Sequence, residues 1–339
     1  MTIKMLMFDF RESEEHFFDN NKFENFDITF YKESLNEDFI HNLTPEELEK
    51  TTIISVFIDS EITKEVIDAF KNLRIISTRS TGIDHINHRA AVEKNIDVVN
   101  VPVYGAKSVA QYTIGLLIAL VRQIIPASKY VITRENACHQ FVGRDISQLT
   151  IGVIGTGSIG AAVCNLAKAI GMKILAYDLV QRQELHDEVI YTDLDTLIRE
   201  SDVITLHLPF TGENRNMFSE KQFSLMKPNS YLINTSRGEI LDTEALYHAI
   251  IDNKIKGAAL DVVSCETYSF KCTQFSRRLG EDMTCLKEAQ FVQKLAELPN
   301  VIITPHIAYE TQDAIEYILE MTFKGILDTI KGGSEFKNM

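Results

Sequence analysis

The chain has 339 residues, 45% of them hydrophobic, and a formal net charge of −14. That length suits two domains, each able to bury a core without staples. An acidic surface repels nucleic acid and anionic lipid, which excludes both as partners, and any anionic substrate must find local positive charge.

Along the chain, short apolar runs alternate with helix-like stretches. IKMLMFDF (3–10), TIISVFI (52–58), LRIISTR (73–79) and DVVNV (97–101) read as strands. VAQYTIGLLIALVRQ (109–123) follows, a helix apolar on nearly every side; a buried core helix and a helix at a subunit interface fit it equally. Six more strands run through TIGVIG (150–155), KILAYD (173–178), DVITLHL (202–208), SYLINTS (230–236), KGAAL (256–260) and NVIITP (300–305). Unbroken β-branched runs suit strands buried on both faces, hence parallel sheets, and the alternation points to α/β layers. Ten strands crowd one sheet, so a split into two bodies is expected. Segment 266–300 is long for a connection, with helical spacing over 286–297; bordering a site and simple decoration fit it equally. The piece after Asn300 holds one strand and one helix and must pack onto one of the two bodies.

IGVIGTGSIG (151–160) stands between a strand and a helix-like run. Gly155 suits a tight turn, Gly157 a close approach of backbone to a pyrophosphate, and Gly160 close helix–strand packing. With Thr156, Ser158 and Ile159 between them, they offer backbone N–H groups at a helix N-terminus. Asp178 ends the next strand. A carboxylate there accepts hydrogen bonds from ribose hydroxyls and repels a 2′-phosphate, favouring NAD over NADP; a turn-capping Asp fits the same position, and Arg182 softens the preference.

Three later strands end in ionisable residues: Arg237 in NTSRGE, Glu266 in ALDVVSCE and His306 in ITPHIAYE. Ligands of open α/β sheets sit at the carboxyl ends of strands. Arginine grips a carboxylate with two parallel hydrogen bonds, histidine donates a proton near neutral pH, and a carboxylate holds that histidine in place. A solvated turn and a structural histidine are the duller alternatives for Arg237 and His306.

The five cysteines (Cys138, Cys164, Cys265, Cys272 and Cys285) form no CxxC pair and no zinc-ligand spacing. They read as reduced thiols of a cytoplasmic protein, with no metal. The segment MTIKMLMFDF lacks a signal-peptide layout.

RSTGIDHIN (79–87), NVPVYGAKSVAQYTIGLLIAL (100–120), GVIGTGSIG (152–160), HLPFTGENRNMF (207–218), NTSRGEILDTEAL (234–246) and TPHIAYET (304–311) together resemble the D-isomer-specific 2-hydroxyacid dehydrogenases, most of all the D-lactate dehydrogenase branch. The resemblance covers nearly the whole chain. It implies two doubly wound parallel-sheet domains, a Rossmann-type NAD domain (102–299) inserted into a flavodoxin-like substrate domain (1–101 and 300–335). It implies a homodimer through the helix after Tyr104. It also implies an NAD-dependent oxidoreductase interconverting a 2-keto acid and its D-2-hydroxy acid, pyruvate and D-lactate first. In that reading Arg237 binds the substrate carboxylate and carbonyl, His306 exchanges the proton, and Glu266 pairs with His306. Backbone N–H groups around Ser80, Thr81 and Gly82 bind the carboxylate, and Tyr104 and Tyr309 line the pocket. His207, Pro209, Thr235 and Asp261 contact the cofactor, Asp261 near the nicotinamide amide. Val263 and Ser264 depart from the aromatic and acidic residues usual after the family's LDV. Alternatives are larger keto acids (2-ketoisocaproate, phenylpyruvate, hydroxypyruvate) and a non-catalytic NAD(H)-sensing protein.

Overall fold

The structure is a computed structural model that describes residues 2–19, 23, 25–101, 105–134, 140–270 and 283–332. Tyr104, Cys138, Cys272 and the stretch 271–282 lie outside the described residues. The chain divides into two compact units, Met1–Gly105 with Glu310–Met339, and Ala106–Tyr309.

The first unit is a five-stranded sheet of β1 (Ile3–Met7), β2 (Phe26–Phe30), β3 (Ile53–Val56), β4 (Ile75–Thr78) and β5 (Asp97–Val99), in the order β2-β1-β3-β4-β5. All four pairings are parallel. One face packs Val66, Ile67, Ala90 and Ala91 of the helices Lys64–Ala69 and His88–Glu93 against Leu6, Ile54 and Ile76. The other face packs Phe323 and Ile326 of the last helix, Gln312–Ile330, against Met5, Ile53, Ile75 and Val99. Alternate strand residues thus feed opposite cores, as the two-residue side-chain period requires.

The second unit holds seven parallel strands: β6 (Thr150–Ile154), β7 (Lys173–Tyr177), β8 (Ile190–Tyr191), β9 (Val203–Leu206), β10 (Tyr231–Asn234), β11 (Gly257–Leu260) and β12 (Val301–Ile303). Their order is β12-β11-β10-β9-β6-β7-β8. The order reverses at β6, whose two neighbours are β7 and β9, and this switch point is where open α/β sheets bind ligands. The apolar helix after the first unit runs Ala106–Val121 and is buried in its own core, with Ala110, Ile114, Leu117 and Leu120 packed among Ile151, Val153 and Val163. Its all-round apolarity is therefore accounted for within one chain. No single helix among the described residues is long and apolar enough to cross a membrane.

All ten expected strands form, and two more join them. β2 is an edge strand whose residues are half-buried or exposed, so it lacks the continuous apolar run that marks the others. β8 is only two residues long. The strand after Asn300 pairs with β11, so the division falls after Tyr309 and only the final helix packs on the first unit.

The thiol expectation needs correction. Cys265 and Cys285 are joined in a disulfide across a separation of 20 residues. The chain leaves β11, forms the short helix Glu266–Phe270, and later starts the helix Met283–Ala296 close by, bringing the two Cα atoms to 5.5 Å, within bridging range. Cys164 is a buried free thiol, pushed up to about 12 first by desolvation.

Candidate active site

The turn after β6 has the shape a dinucleotide pyrophosphate needs. Gly155 has φ +91°, and a Cβ there would lie 2.6 Å from the His207 carbonyl oxygen. A Cβ on Gly160 would lie 1.9 Å from the Gly155 oxygen. A Cβ on Gly157 would meet nothing within 4 Å, so this face of the turn is open. Gly157 caps the helix Ser158–Ile170 without any side-chain hydrogen bond, which leaves first-turn N–H groups available to an anion. Asp178 secures the turn: Oδ2 accepts from the Thr156 N–H at 2.5 Å and from its hydroxyl at 3.1 Å, and Oδ1 accepts from Val180 N–H. The Tyr191 hydroxyl, at 3.1 Å, donates to Thr156 Oγ1 and accepts from Arg182 N–H. His207 lies against the turn, neutral, because burial pushes it down to about 3. Its Nε2 meets Thr205 Oγ1 at 2.9 Å, and its buried Nδ1 meets no partner among the described residues. An open turn, unused N–H groups and an orphaned imidazole nitrogen fit a bound NAD.

Arg237, Glu266 and His306 follow β10, β11 and β12, three adjacent strands. Asn234 shapes the Arg237 turn, accepting from Ser236 N–H and donating to the Arg237 carbonyl at 2.9 Å. Arg237 is half-buried, and its Nη1 donates to the Ser236 carbonyl. Gly238 lies directly on the chain leaving β11, where a Cβ would come within 2.0 Å of the Val263 carbonyl carbon. The turns carrying Arg237 and Glu266 are therefore in backbone contact.

His306 Nδ1 lies 2.9 Å from Glu266 Oε2, both side chains part-exposed. An ionised carboxylate only accepts, so Nδ1 carries the proton and Nε2, which has no partner among the described residues, is the nitrogen that exchanges one. The histidine sits at φ +57°, a left-handed conformation uncommon outside glycine. Asp261, fully buried, imposes it: its carbonyl accepts from His306 N–H at 2.8 Å. Its Oδ1 accepts from the Thr304 hydroxyl and Ile307 N–H, and its Oδ2 from Ala308 N–H at 2.8 Å. Asp261, the residue expected beside the nicotinamide amide, thus directs its carboxylate into the histidine loop. Thr235 likewise turns inward: Thr113 donates to the Val109 carbonyl, so the 2.9 Å contact between the two hydroxyls uses the Thr235 proton. Pro209 is exposed, and its carbonyl accepts from Asn214 Nδ2. The Tyr309 ring, buried, lies edge-on to His306 with centroids 6.4 Å apart.

In the first unit, Ser80, Thr81 and Gly82 follow β4. Their three carbonyls accept from Val101 N–H, Asn100 Nδ2 and the Ser80 hydroxyl respectively. The N–H groups of Thr81 and Gly82 donate to no described residue. Arg79, 1% exposed, anchors this loop; its Nε pairs with Glu14 at 3.1 Å and its Nη2 donates to the Phe8 and Asp9 carbonyls. Arg79, Tyr191 and Thr304 were not expected from the sequence. Arg79 alone left a signal, a cation directly after a buried strand.

The fold and these clusters define the class, and comparison with known proteins agrees. The profile of the D-isomer-specific 2-hydroxyacid dehydrogenase NAD-binding domain matches residues 114–308. The chain is 38% identical over 279 residues to a D-specific alpha-keto acid dehydrogenase of Enterococcus faecium, covering 81% of this chain and 82% of that one. It is 33% identical over 276 residues to an aromatic 2-oxoacid reductase of Clostridium sporogenes, covering 80% and 81%. The D-lactate dehydrogenase of Aquifex aeolicus, solved with NAD and lactic acid, superposes with a TM-score of 0.84 at 35% identity, covering 97% of this chain and 96% of that one. The chain belongs to the D-isomer-specific 2-hydroxyacid dehydrogenases, NAD-dependent oxidoreductases. Within them it falls in the D-lactate dehydrogenase branch.

Proposed function

We propose that this protein reduces pyruvate reversibly to D-lactate with NADH. The observation that carries the reading is the 2.9 Å pair between His306 Nδ1 and Glu266, which leaves Nε2 to exchange a proton. Arg237 grips the substrate carboxylate and polarises its carbonyl. The chemistry that NADH supplies when bound is a hydride for C2 of the keto acid. His306, as imidazolium, gives its Nε2 proton to the carbonyl oxygen; as neutral imidazole it takes that proton back in oxidation. Glu266 stabilises the imidazolium and fixes its tautomer. In the first unit, we read the N–H groups of Thr81 and Gly82, which donate to no described residue, as a grip for a carboxylate.

The test is NADH consumption, read by its ultraviolet absorbance, over a panel of pyruvate, 2-ketoisocaproate, phenylpyruvate and hydroxypyruvate, with chiral analysis of the product. Pyruvate should give the highest kcat/KM and a D product. His306→Ala should lower turnover about 10²–10⁴-fold while NADH binding persists; near-normal turnover removes His306 from the reaction. The likeness to an aromatic 2-oxoacid reductase supports a larger keto acid as the second reading, and a higher kcat/KM for phenylpyruvate would select it. Tight NADH binding without turnover of any keto acid would select the sensor. We read the protein as a cytoplasmic homodimer. Four exposed apolar side chains on the helix Ile124–Thr133, namely Ile124, Ile125, Val131 and Ile132, support the dimer, since a second copy would cover them. Sedimentation at micromolar concentration tests the dimer.

A further inference from the structure

Behind the loop Ser80–Gly82 lies a chain of side chains that no function above uses. The imidazole Nε2 of His85 is 3.0 Å from Thr78 Oγ1, Thr78 Oγ1 is 2.7 Å from Ser80 Oγ, and Ser80 Oγ is 2.6 Å from the Gly82 carbonyl oxygen. Thr78 and Ser80 are 0% and 2% exposed, so water does not substitute for these contacts. Proton counting gives the chain a single direction. A carbonyl only accepts, so the one Ser80 proton goes to Gly82. The Thr78–Ser80 contact must then use the Thr78 proton, and the Thr78–His85 contact must use a proton on His85 Nε2. The His85 backbone is itself held, its carbonyl accepting from Ile62 N–H at 2.8 Å.

We propose that His85 is a positioning residue for the substrate carboxylate, acting as an Nε2–H donor through Thr78 and Ser80 on the Gly82 carbonyl. This rests on the reading of Ser80–Gly82 as a carboxylate grip. The loop's other two carbonyls are tied back by Val101 and Asn100. Among the described residues only the side-chain relay ties back the third, and a Gly82 carbonyl turned outward would oppose an anion with its negative end. The neutral Nδ1–H tautomer cannot support the relay, because three acceptor contacts would then share two hydroxyl protons. The imidazolium and the Nε2–H tautomer both support it.

Two measurements test this. The first is the ring nitrogen spectrum of the ¹⁵N-labelled protein, with His85 identified by the resonances lost in His85→Gln. A protonated Nε2 is expected; an Nδ1–H tautomer overturns the relay. The second is the Kd of oxamate, an unreactive keto-acid analogue, for the NADH complex. His85→Leu and Thr78→Val should each raise it roughly three- to tenfold, the scale of one net hydrogen bond. KM for pyruvate should rise in step, with kcat within about twofold. His85→Gln, whose amide N–H donates from a similar place, should restore much of the affinity. Unchanged oxamate binding in both relay variants overturns the proposal. A wild-type NADH complex that fails to bind oxamate overturns the carboxylate reading itself, and the tautomer spectrum distinguishes that failure from one of the relay.

Discussion

Gly238→Ala tests whether backbone contact sets the catalytic geometry. The added Cβ would lie 2.0 Å from the Val263 carbonyl carbon, 2.2 Å from Ser264 N and 2.3 Å from the Val263 oxygen, whereas ordinary contact begins at 3.4 Å. A gap of about 1.4 Å must therefore open between two main-chain segments. Neither yields easily. Asn234 bonds to the Arg237 carbonyl on one side, and Val263 is buried in the core on the other. Overpacking of this kind costs about 1–3 kcal/mol, a five- to 150-fold change in the folding constant. The displacement falls between Arg237 and Glu266, and a shift of about 1 Å in a reacting geometry costs about 10²-fold. Gly238→Ala should lower the urea midpoint and lower kcat/KM for the keto acid about 10²-fold. NADH affinity, built on β6 across β9, should change less than about threefold. A variant with wild-type midpoint and wild-type kcat/KM would refute the claim that the two turns position each other.

Three further outcomes follow from buried groups. Gly160→Ala drives a Cβ to 1.9 Å from the Gly155 oxygen and should weaken NADH binding, measured by fluorescence, at least about tenfold; unchanged affinity would remove the turn from cofactor binding. Glu14→Gln leaves the 1%-exposed Arg79 guanidinium without its carboxylate and should cost about 3–5 kcal/mol in the first unit's denaturation; a loss below about 1 kcal/mol would contradict an obligatory pair. His207 is held near pKa 3 by burial and titrates near 6.5 when unfolded. The unfolded chain therefore takes up a proton that the folded one refuses as pH falls below about 6.5. Stability should be flat above about pH 7 and fall by up to roughly 1.4 kcal/mol per unit toward pH 5. His207→Asn should lose that component of the slope; equal slopes in urea midpoints would contradict it.

The parallel strands were legible because burial on both faces leaves an unbroken apolar run, and the ionisable residues at their tips were legible because strands of this class end at the ligand side. β2 and β8 carry no such mark: one is an edge and the other is two residues long. The same distinction runs through the site. Arg237, Glu266 and His306 announce themselves by charge type and place. Which groups orient them depends on strand order, which brings Glu266 and His306 together across 40 residues and folds Asp261 under the histidine loop. The cysteine pair was hidden for the same reason, since only the path from β11 to the helix Met283–Ala296 brings Cys265 to Cys285.

Hydroxyl chains are the extreme case. Thr78, Ser80 and His85 look like any polar residues after a strand, because a serine's place in the chain does not say whether it donates or accepts. Direction enters only where a relay ends on a group with one possible role, here the Gly82 carbonyl, and propagates backward from it to an imidazole nitrogen. A relay without such an end would leave its tautomers undetermined, and this one, ending on a main-chain oxygen beside two N–H groups that donate to no described residue, requires a proton on His85 Nε2.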